Sequence, residues 1–475
     1  MVNAGPAPPS PVLLVWRTIR RMIRHVRPRA LGLAALILWA PLPFASVAPG
    51  PATILLVAAL AALVLALWTP TAEPLPREIF VVGAAIAAIA LLGWLQALPA
   101  PTALAGALAP ESVRLARQAT EIAGDPSAQS AAGLSTPLSL APQASRSAAL
   151  DWLVPAAAFL AAARIGSSRR VRRTLAGALL IAGAAQVVVG VAQWISRSNT
   201  LWGVTLEGFG GRLRGSFVNP NHLALYLEIA LAVAFAWVWW ATRRTLLDAD
   251  RAEDRLLRVG PPAFAFLLIF AGLVLTGSRA ALLAAVVAMS VQGLVVGSRR
   301  GRKWLLAVGL AGVAALLALG TEGTFARLTT TSLGEVGAGY RFEAAGATFD
   351  LFRRFPLAGS GLGSFQAAFP LVQPPTIPGF WRHAHADWIE FLATTGVIGA
   401  ALLAAGLFFY GRRLRQVIFH GERSESRAAG LAALGALVAV GLHSFADFGL
   451  TMPANAFTLA VVAGAAAATR TQKAG

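Results

Sequence analysis

Stretches of apolar residues long enough to cross a hydrocarbon core recur from one end of this chain to the other, and they leave few folds open to it. A run of roughly 17 to 25 apolar residues spans a bilayer as a helix, because lipid offers the backbone N–H and C=O groups no partner outside the segment itself. Candidate spans fall at about 31–48, 52–69, 79–98, 148–165, 174–195, 221–241, 261–277, 279–297, 303–320, 387–410, 428–446 and 452–469. At about 1.5 Å of rise per residue most of them reach close to 30 Å. Pro41 and Pro43 interrupt the first. Only 13% of the 475 residues are charged, about half the share in a soluble domain. The expected fold class is therefore all-α: a polytopic membrane protein with about 12 transmembrane helices.

A formal net charge of +19 would raise the question of nucleic acid in a soluble protein, but here the basic residues lie between the apolar runs. Lys and Arg are enriched in cytoplasmic loops of membrane proteins. With the N-terminus inside and the spans alternating, the short loops Arg164 to Arg173, Arg243 to Arg258, Arg299 to Lys303 and Arg412 to Arg423 all fall inside. Both termini are then cytoplasmic, and no nucleic-acid partner is called for. The Pro-rich start and the basic stretch Arg17 to Arg29 lead into a span without a cleavage site, so residues 1–30 read as a basic cytoplasmic tail. Residues 31–320 read as membrane helices 1–9 with an outer, periplasmic loop at 99–147, residues 321–386 as a long periplasmic loop, and residues 387–475 as helices 10–12 with a short cytoplasmic tail. The first long loop carries a candidate amphipathic helix near Glu111 to Ile122. There is no cysteine, which excludes disulfides and thiolate metal sites.

Three polar clusters lie at or near the outer face. The first runs Gly210-Gly211-Arg212-Leu213-Arg214-Gly215-Ser216-Phe217-Val218-Asn219-Pro220-Asn221-His222 into the span at 221. Asn219 or Asn221 can cap the new helix, whose free amides favour an anion, and Arg212 and Arg214 stand beside them. The plainer reading is a capped helix with interfacial arginines. The second is Thr276-Gly277-Ser278-Arg279, between two spans with almost no loop. An Arg on the outer edge calls for an anionic partner or snorkels to lipid headgroups. The third is the long outer loop with Tyr340-Arg341-Phe342, the Gly-rich stretch Pro356 to Phe365, and the exit Trp381-Arg382-His383-Ala384-His385-Ala386-Asp387. The Gly-rich stretch lacks P-loop spacing and the following Lys-Ser/Thr, and reads as a turn. His383, His385 and Asp387 form a thin ligand set for a metal; the other use is general-base chemistry, with Asp387 orienting an imidazole.

These residues in this order resemble the bacterial O-antigen ligase and O-antigen polymerase superfamily of membrane glycosyltransferases over most of the chain. The resemblance rests on Gly215 to His222, on Gly277-Ser278-Arg279, and on Pro356 to Phe365. Above all it rests on His385 followed after ten residues by Gly396-Val397-Ile398-Gly399. Ala386 departs from it, since the family usually has Asn, Ser or Gln there. The resemblance implies a bacterial inner-membrane enzyme that moves a glycan from undecaprenyl pyrophosphate to an acceptor hydroxyl, commonly on the lipid A core, at the periplasmic face. Its partners would be the lipid-linked donor, the acceptor glycan and membrane lipids, with no cofactor and no metal. Developing charge on a pyrophosphate leaving group needs cationic donors, for which Arg212, Arg214, Arg279 and Arg341 are the candidates. His385 is the candidate base ahead of His383, with Asp387 as its orienting partner. Glu228, about two turns into its span, is an ionisable group at membrane depth and is expected to pair with Arg214 or Arg279. Within the class, a polymerase of lipid-linked repeat units fits the same residues, as does a ligase acting on protein or another surface polymer. Outside it stand a transporter or flippase, which would place its charged residues near the midplane, and a membrane scaffold, which makes no demand on the outer Arg and His.

Overall fold

The computed structural model describes residues 28–68, 74–124, 135–206, 211–248, 252–297 and 336–472. Within them the chain forms fifteen α-helices. They are α1 Pro28–Trp39, α2 Pro49–Leu67, α3 Arg77–Ala97, α4 Thr102–Leu108, α5 Pro110–Ala123, α6 Pro142–Ile165, α7 Arg169–Ile195 and α8 Pro220–Asp248. There follow α9 Ala252–Leu275, α10 Arg279–Val296, α11 Val336–Arg354, α12 Phe365–Ala368, α13 Asp387–His420, α14 Ser424–His443 and α15 Pro453–Ala467. Sheet is confined to two short antiparallel pairs, Pro99–Pro101 with Ser135–Pro137 and Thr200–Leu201 with Val204–Thr205. Proline sits in the first turn of α2, α5, α6 and α15, where its missing N–H has no intrahelical partner to lose.

Nine of these helices are long and apolar enough to cross a membrane, and α1 and α15 are shorter apolar helices. Nine of the twelve expected spans thus coincide with helices of spanning length and two with shorter ones, while the expected span at 303–320 lies outside the described residues. The first expected span is shorter than its apolar run. Helix α1 stops at Trp39, and Phe44, Ala45 and Ser46 turn the chain with φ of 53°, 58° and 59°. The reason is the pair Pro41 and Pro43, which cannot donate to a helix ladder. The turn is held by Ser46 Oγ donating to the Ala40 carbonyl (2.8 Å) and Ser216 Oγ donating to that of Pro41 (2.6 Å). The amphipathic helix expected in the first long loop is present as α5.

Helix α8 is the axis of the bundle: 78% of its apolar window is buried, against 17% for α2 and 22% for α9. It packs on α14, α9, α10 and α7, while α6 packs on α15, α3 and α2. Side chains such as Ile54, Val57, Phe264 and Leu267 face outward, a surface that lipid covers at no desolvation cost.

Helix α13 is broken inside its apolar run. Gly396 takes φ 63° and ψ −165°, and the Gly-rich stretch docks into the gap. Ser360 and Gly361 amides donate to the Ala393 and Thr394 carbonyls (3.0 Å each), and Val397 and Ile398 amides donate to the Pro356 and Leu357 carbonyls (2.9 and 3.2 Å). Gln96 on α3 closes the join, donating to the Ala358 and Thr394 carbonyls (2.6 and 3.1 Å) and accepting from the Leu362 amide (2.9 Å). Irregular backbone at membrane depth survives only when protein satisfies it, and these contacts do so. A Cβ on Gly396 would stand 2.2 Å from the Leu357 carbonyl oxygen, and one on Gly359 would stand 2.3 Å from the Thr394 carbonyl. The turn read from the Gly-rich sequence is therefore a plug for a broken helix.

Candidate functional site

Three segments distant in sequence meet at one end of the bundle. Helix α8 begins there at Pro220, with Asn219 Oδ1 accepting from the Asn221 amide (2.9 Å), and it carries His222 in its first turn. Helix α13 begins there too, preceded by His383 and His385. Helix α14 ends there at His443, and the turn that follows presents Asp447 and Phe448.

Asp447 is the centre of the group. Its Oδ1 lies 3.8 Å from His222 Nε2 and 3.9 Å from His385 Nδ1, and its Oδ2 lies 4.0 Å from His443 Nε2. The Phe448 amide donates to Oδ1 (2.9 Å). Burial alone would push the Asp447 carboxyl up, but the imidazoles of His385, His222 and His443 and the Phe448 amide hold it below the usual carboxylate range. Phe448 is the spacer between the rings, stacked on His383 at 4.3 Å and edge-on to His222 and His385 at 4.6 and 4.8 Å.

Only two of these imidazoles reach the outside. The side chains of His385 and His383 are 26% and 31% exposed, against 7% for His222 and 1% for His443 and Asp447. His383 Nδ1 lies 3.0 Å from Glu390 Oε1, and the Ala384 amide donates to Glu390 Oε2 (2.7 Å). Burial would push the His383 imidazole down, but the Glu390 carboxylate holds it above its ordinary value. An imidazole whose charged form is favoured is less available to accept a proton. His385 takes a left-handed backbone, φ 54°, and its Nδ1 is buried with no hydrogen-bond partner. An imidazole backed by a buried carboxylate can take a proton from a hydroxyl presented to its outer nitrogen.

The expected partnership of His385 with Asp387 is corrected. Asp387 Oδ2 accepts from Ser444 Oγ (2.9 Å) and the Leu450 amide (3.3 Å), while the Asp387 amide donates to the Asp447 carbonyl (3.2 Å). As the first residue of α13 it ties that helix to the turn after α14, and so fixes Asp447. The expected pairing of Glu228 with Arg214 or Arg279 is also corrected: Glu228 Oε1 lies 3.1 Å from His443 Nδ1, both side chains at most 1% exposed.

The arginines divide. Arg212 donates from Nε to the Thr276 carbonyl (2.7 Å) and from Nη2 to Asn221 Oδ1 (2.6 Å), so it ties the second polar cluster to the first. Through Asn221, His222 and Asp447 that tie continues to His385, and all three clusters read from the sequence adjoin. Arg214 is buried and donates to the Asn199 carbonyl (3.1 Å). Arg279 is exposed at the first residue of α10, just after Ser278. Arg341 is half-buried on α11, with its Nε unbonded; Tyr340 beside it packs on the cluster that includes Trp381 and Ala384.

The sequence alone points to neither His443 nor Asp447, and gives His222 no role of its own. Two of the three lie in Gly441-Leu442-His443-Ser444-Phe445-Ala446-Asp447-Phe448, a short polar interruption between apolar runs. The one signal there is an acid four residues after a histidine.

Residues 264–404 match the family model described as O-antigen ligase, which supports the resemblance read from the sequence over that stretch. The match runs from within α9 into α13 and includes Arg279, Arg341, His383, His385, Asp387 and the break at Gly396. No curated protein matches the chain.

Proposed function

We propose, from the match of residues 264–404 to the O-antigen ligase family model, that the chain transfers a glycan from undecaprenyl pyrophosphate to an acceptor hydroxyl at the outer face of the inner membrane. The observation that carries this reading is the solvent-reaching His385 set 3.9 Å from the buried Asp447 carboxylate, at the end where Arg212 joins α8 to the turn before Arg279.

In the reaction His385 takes the proton of the acceptor hydroxyl, and Asp447 stabilises the imidazolium that forms. The acceptor oxygen bonds to the anomeric carbon as the bond from that carbon to the pyrophosphate oxygen breaks, and the electron pair leaves with the pyrophosphate. Arg279 and Arg341 meet the charge that develops on it, and Arg212 and Arg214 shape the seat from behind through their backbone and side-chain contacts. Glu390 favours the charged form of His383 beside the base. The lipid A core is the proposed acceptor.

Sidedness is part of the proposal and is supported by where the basic loops gather. Arg172 at the start of α7 pairs with Glu425 at the start of α14, and Arg173 stacks on Trp240 near the end of α8. This basic end is opposite the histidines, as a cytoplasmic face would be. The test is surface glycan display in a strain lacking the protein, complemented with wild type or His385→Ala at equal membrane level. Lost display with accumulation of lipid-linked glycan is expected; full display from the variant would contradict the assignment.

A further inference from the structure

At the basic end of the bundle, three guanidinium groups gather on one indole. The Cζ atoms of Arg173, Arg169 and Arg244 lie 4.4, 5.4 and 5.8 Å from the centre of the Trp240 ring, whose residue is 8% exposed. Stacking on a ring holds Arg169 and Arg173 in place without cancelling their charge. Arg172 and Arg423 add to the positive field at Arg169. Among the described residues the carboxylate that faces Arg169 and Arg173 is Glu425, and both its oxygens accept from Arg172. The Nε atoms of Arg169 and Arg173 are buried without a hydrogen-bond partner. Like charges crowded at the end of membrane helices with unmet donors call for an anion rich in acceptor oxygens.

We propose that this cluster binds the phosphate of an anionic membrane lipid. Two features favour a lipid headgroup over a soluble anion. Trp237, Trp239 and Trp240 lie in the last turns of the apolar part of α8, and Arg243 stacks on Trp239 at 5.6 Å. Tryptophan and arginine together mark headgroup depth. Beside them, Val259 of α9 packs against the Trp240 cluster, while Leu256 and Leu257 on the preceding turn are 72% and 73% exposed, an apolar surface on which acyl chains can lie. Basic pockets between helices with this arrangement suit phospholipid headgroups. The site is independent of the glycan reaction, which takes place at the other end.

The test is thermal unfolding of the detergent-purified full chain, titrated with phosphatidylglycerol, phosphatidylcholine or inorganic phosphate. Wild type is compared with Arg169→Gln/Arg173→Gln and with Arg412→Gln, an exposed arginine of the same end outside the cluster. Phosphatidylglycerol should stabilise wild type and Arg412→Gln alike, with an apparent affinity for the double variant weaker by on the order of tenfold. Equal stabilisation by phosphatidylcholine, or an unchanged double variant, would overturn the proposal. Matching stabilisation by inorganic phosphate would overturn the lipid assignment. If the double variant does not fold, lipids retained by wild type in native mass spectrometry decide the matter: preferential retention of phosphatidylglycerol is expected, and equal retention of phosphatidylcholine would contradict it.

Discussion

At the basic end Arg172 and Glu425 close on each other, and each nitrogen of the arginine is engaged, Nη1 with the Gly166 and Ser167 carbonyls at 2.7 and 3.0 Å. Arg413 is likewise spent on the Ala467 and Thr469 carbonyls. At the histidine end Asp447 faces three imidazoles at 3.8–4.0 Å. There the His222 Nε2, His385 Nδ1, His443 Nε2, Glu228 Oε2 and Asp447 Oδ2 atoms are buried without a hydrogen bond. A buried ion pair whose donors are all met fastens helices together. A buried carboxylate ringed by unmet titratable groups stores no comparable stability, and persists where it does chemistry.

That contrast breaks first at Asp447. Asp447→Asn should lower glycan transfer by about 10²–10⁴-fold with a far smaller effect on melting; transfer rate and melting of the same purified sample separate the two. Next in size is the basic clamp. Glu425→Ala leaves Arg172 buried and unpaired, and should cost about 3–5 kcal/mol, read by thermal unfolding. Arg172→Met with Glu425→Leu should recover most of that loss, which shows that the pair fastens and does not catalyse. Gly396→Ala comes third. It forces a Cβ onto the Leu357 carbonyl and a left-handed φ onto alanine, and should cost about 1–3 kcal/mol or more, whereas Gly411→Ala, with open space at its Cβ, should be neutral or better.

The smallest effect sharpens the comparison within the histidine end itself. His383 is held above its ordinary value by Glu390, so its contribution to stability is fully present below the unfolded histidine value of about 6.5. It is lost as pH rises through the raised folded value. Melting of Glu390→Gln should therefore fall below wild type by on the order of a degree near pH 6, and the gap should close as pH rises beyond the His383 titration.

The two ends also differed in how legible they were. Apolar runs place helices because lipid admits little else, and the basic loops mark one end by simple charge count. His385 was legible because it stands beside a spaced Gly-x-x-Gly, and Arg212 because it sits in a segment of glycine, proline and asparagine that apolar helices do not contain. Asp447 and His443 were hidden because their meaning is tertiary: α14 must pack on α8 and α13 before either faces His385. Asp387, adjacent in sequence, drew the role that its distant neighbour holds. The break in α13 was hidden as well, since Ala393-Thr394-Thr395-Gly396-Val397 continues as a helix by composition and only the docked 356–363 stretch reveals the gap.

The most direct test of the account is the transfer rate of purified wild type, His385→Ala and His383→Ala with a lipid pyrophosphate-linked glycan donor and a defined acceptor, at matched folding. A loss of about 10²–10⁴-fold is expected for His385→Ala, and a much smaller loss for His383→Ala. Equal losses, or a His385→Ala enzyme close to wild type, would contradict it.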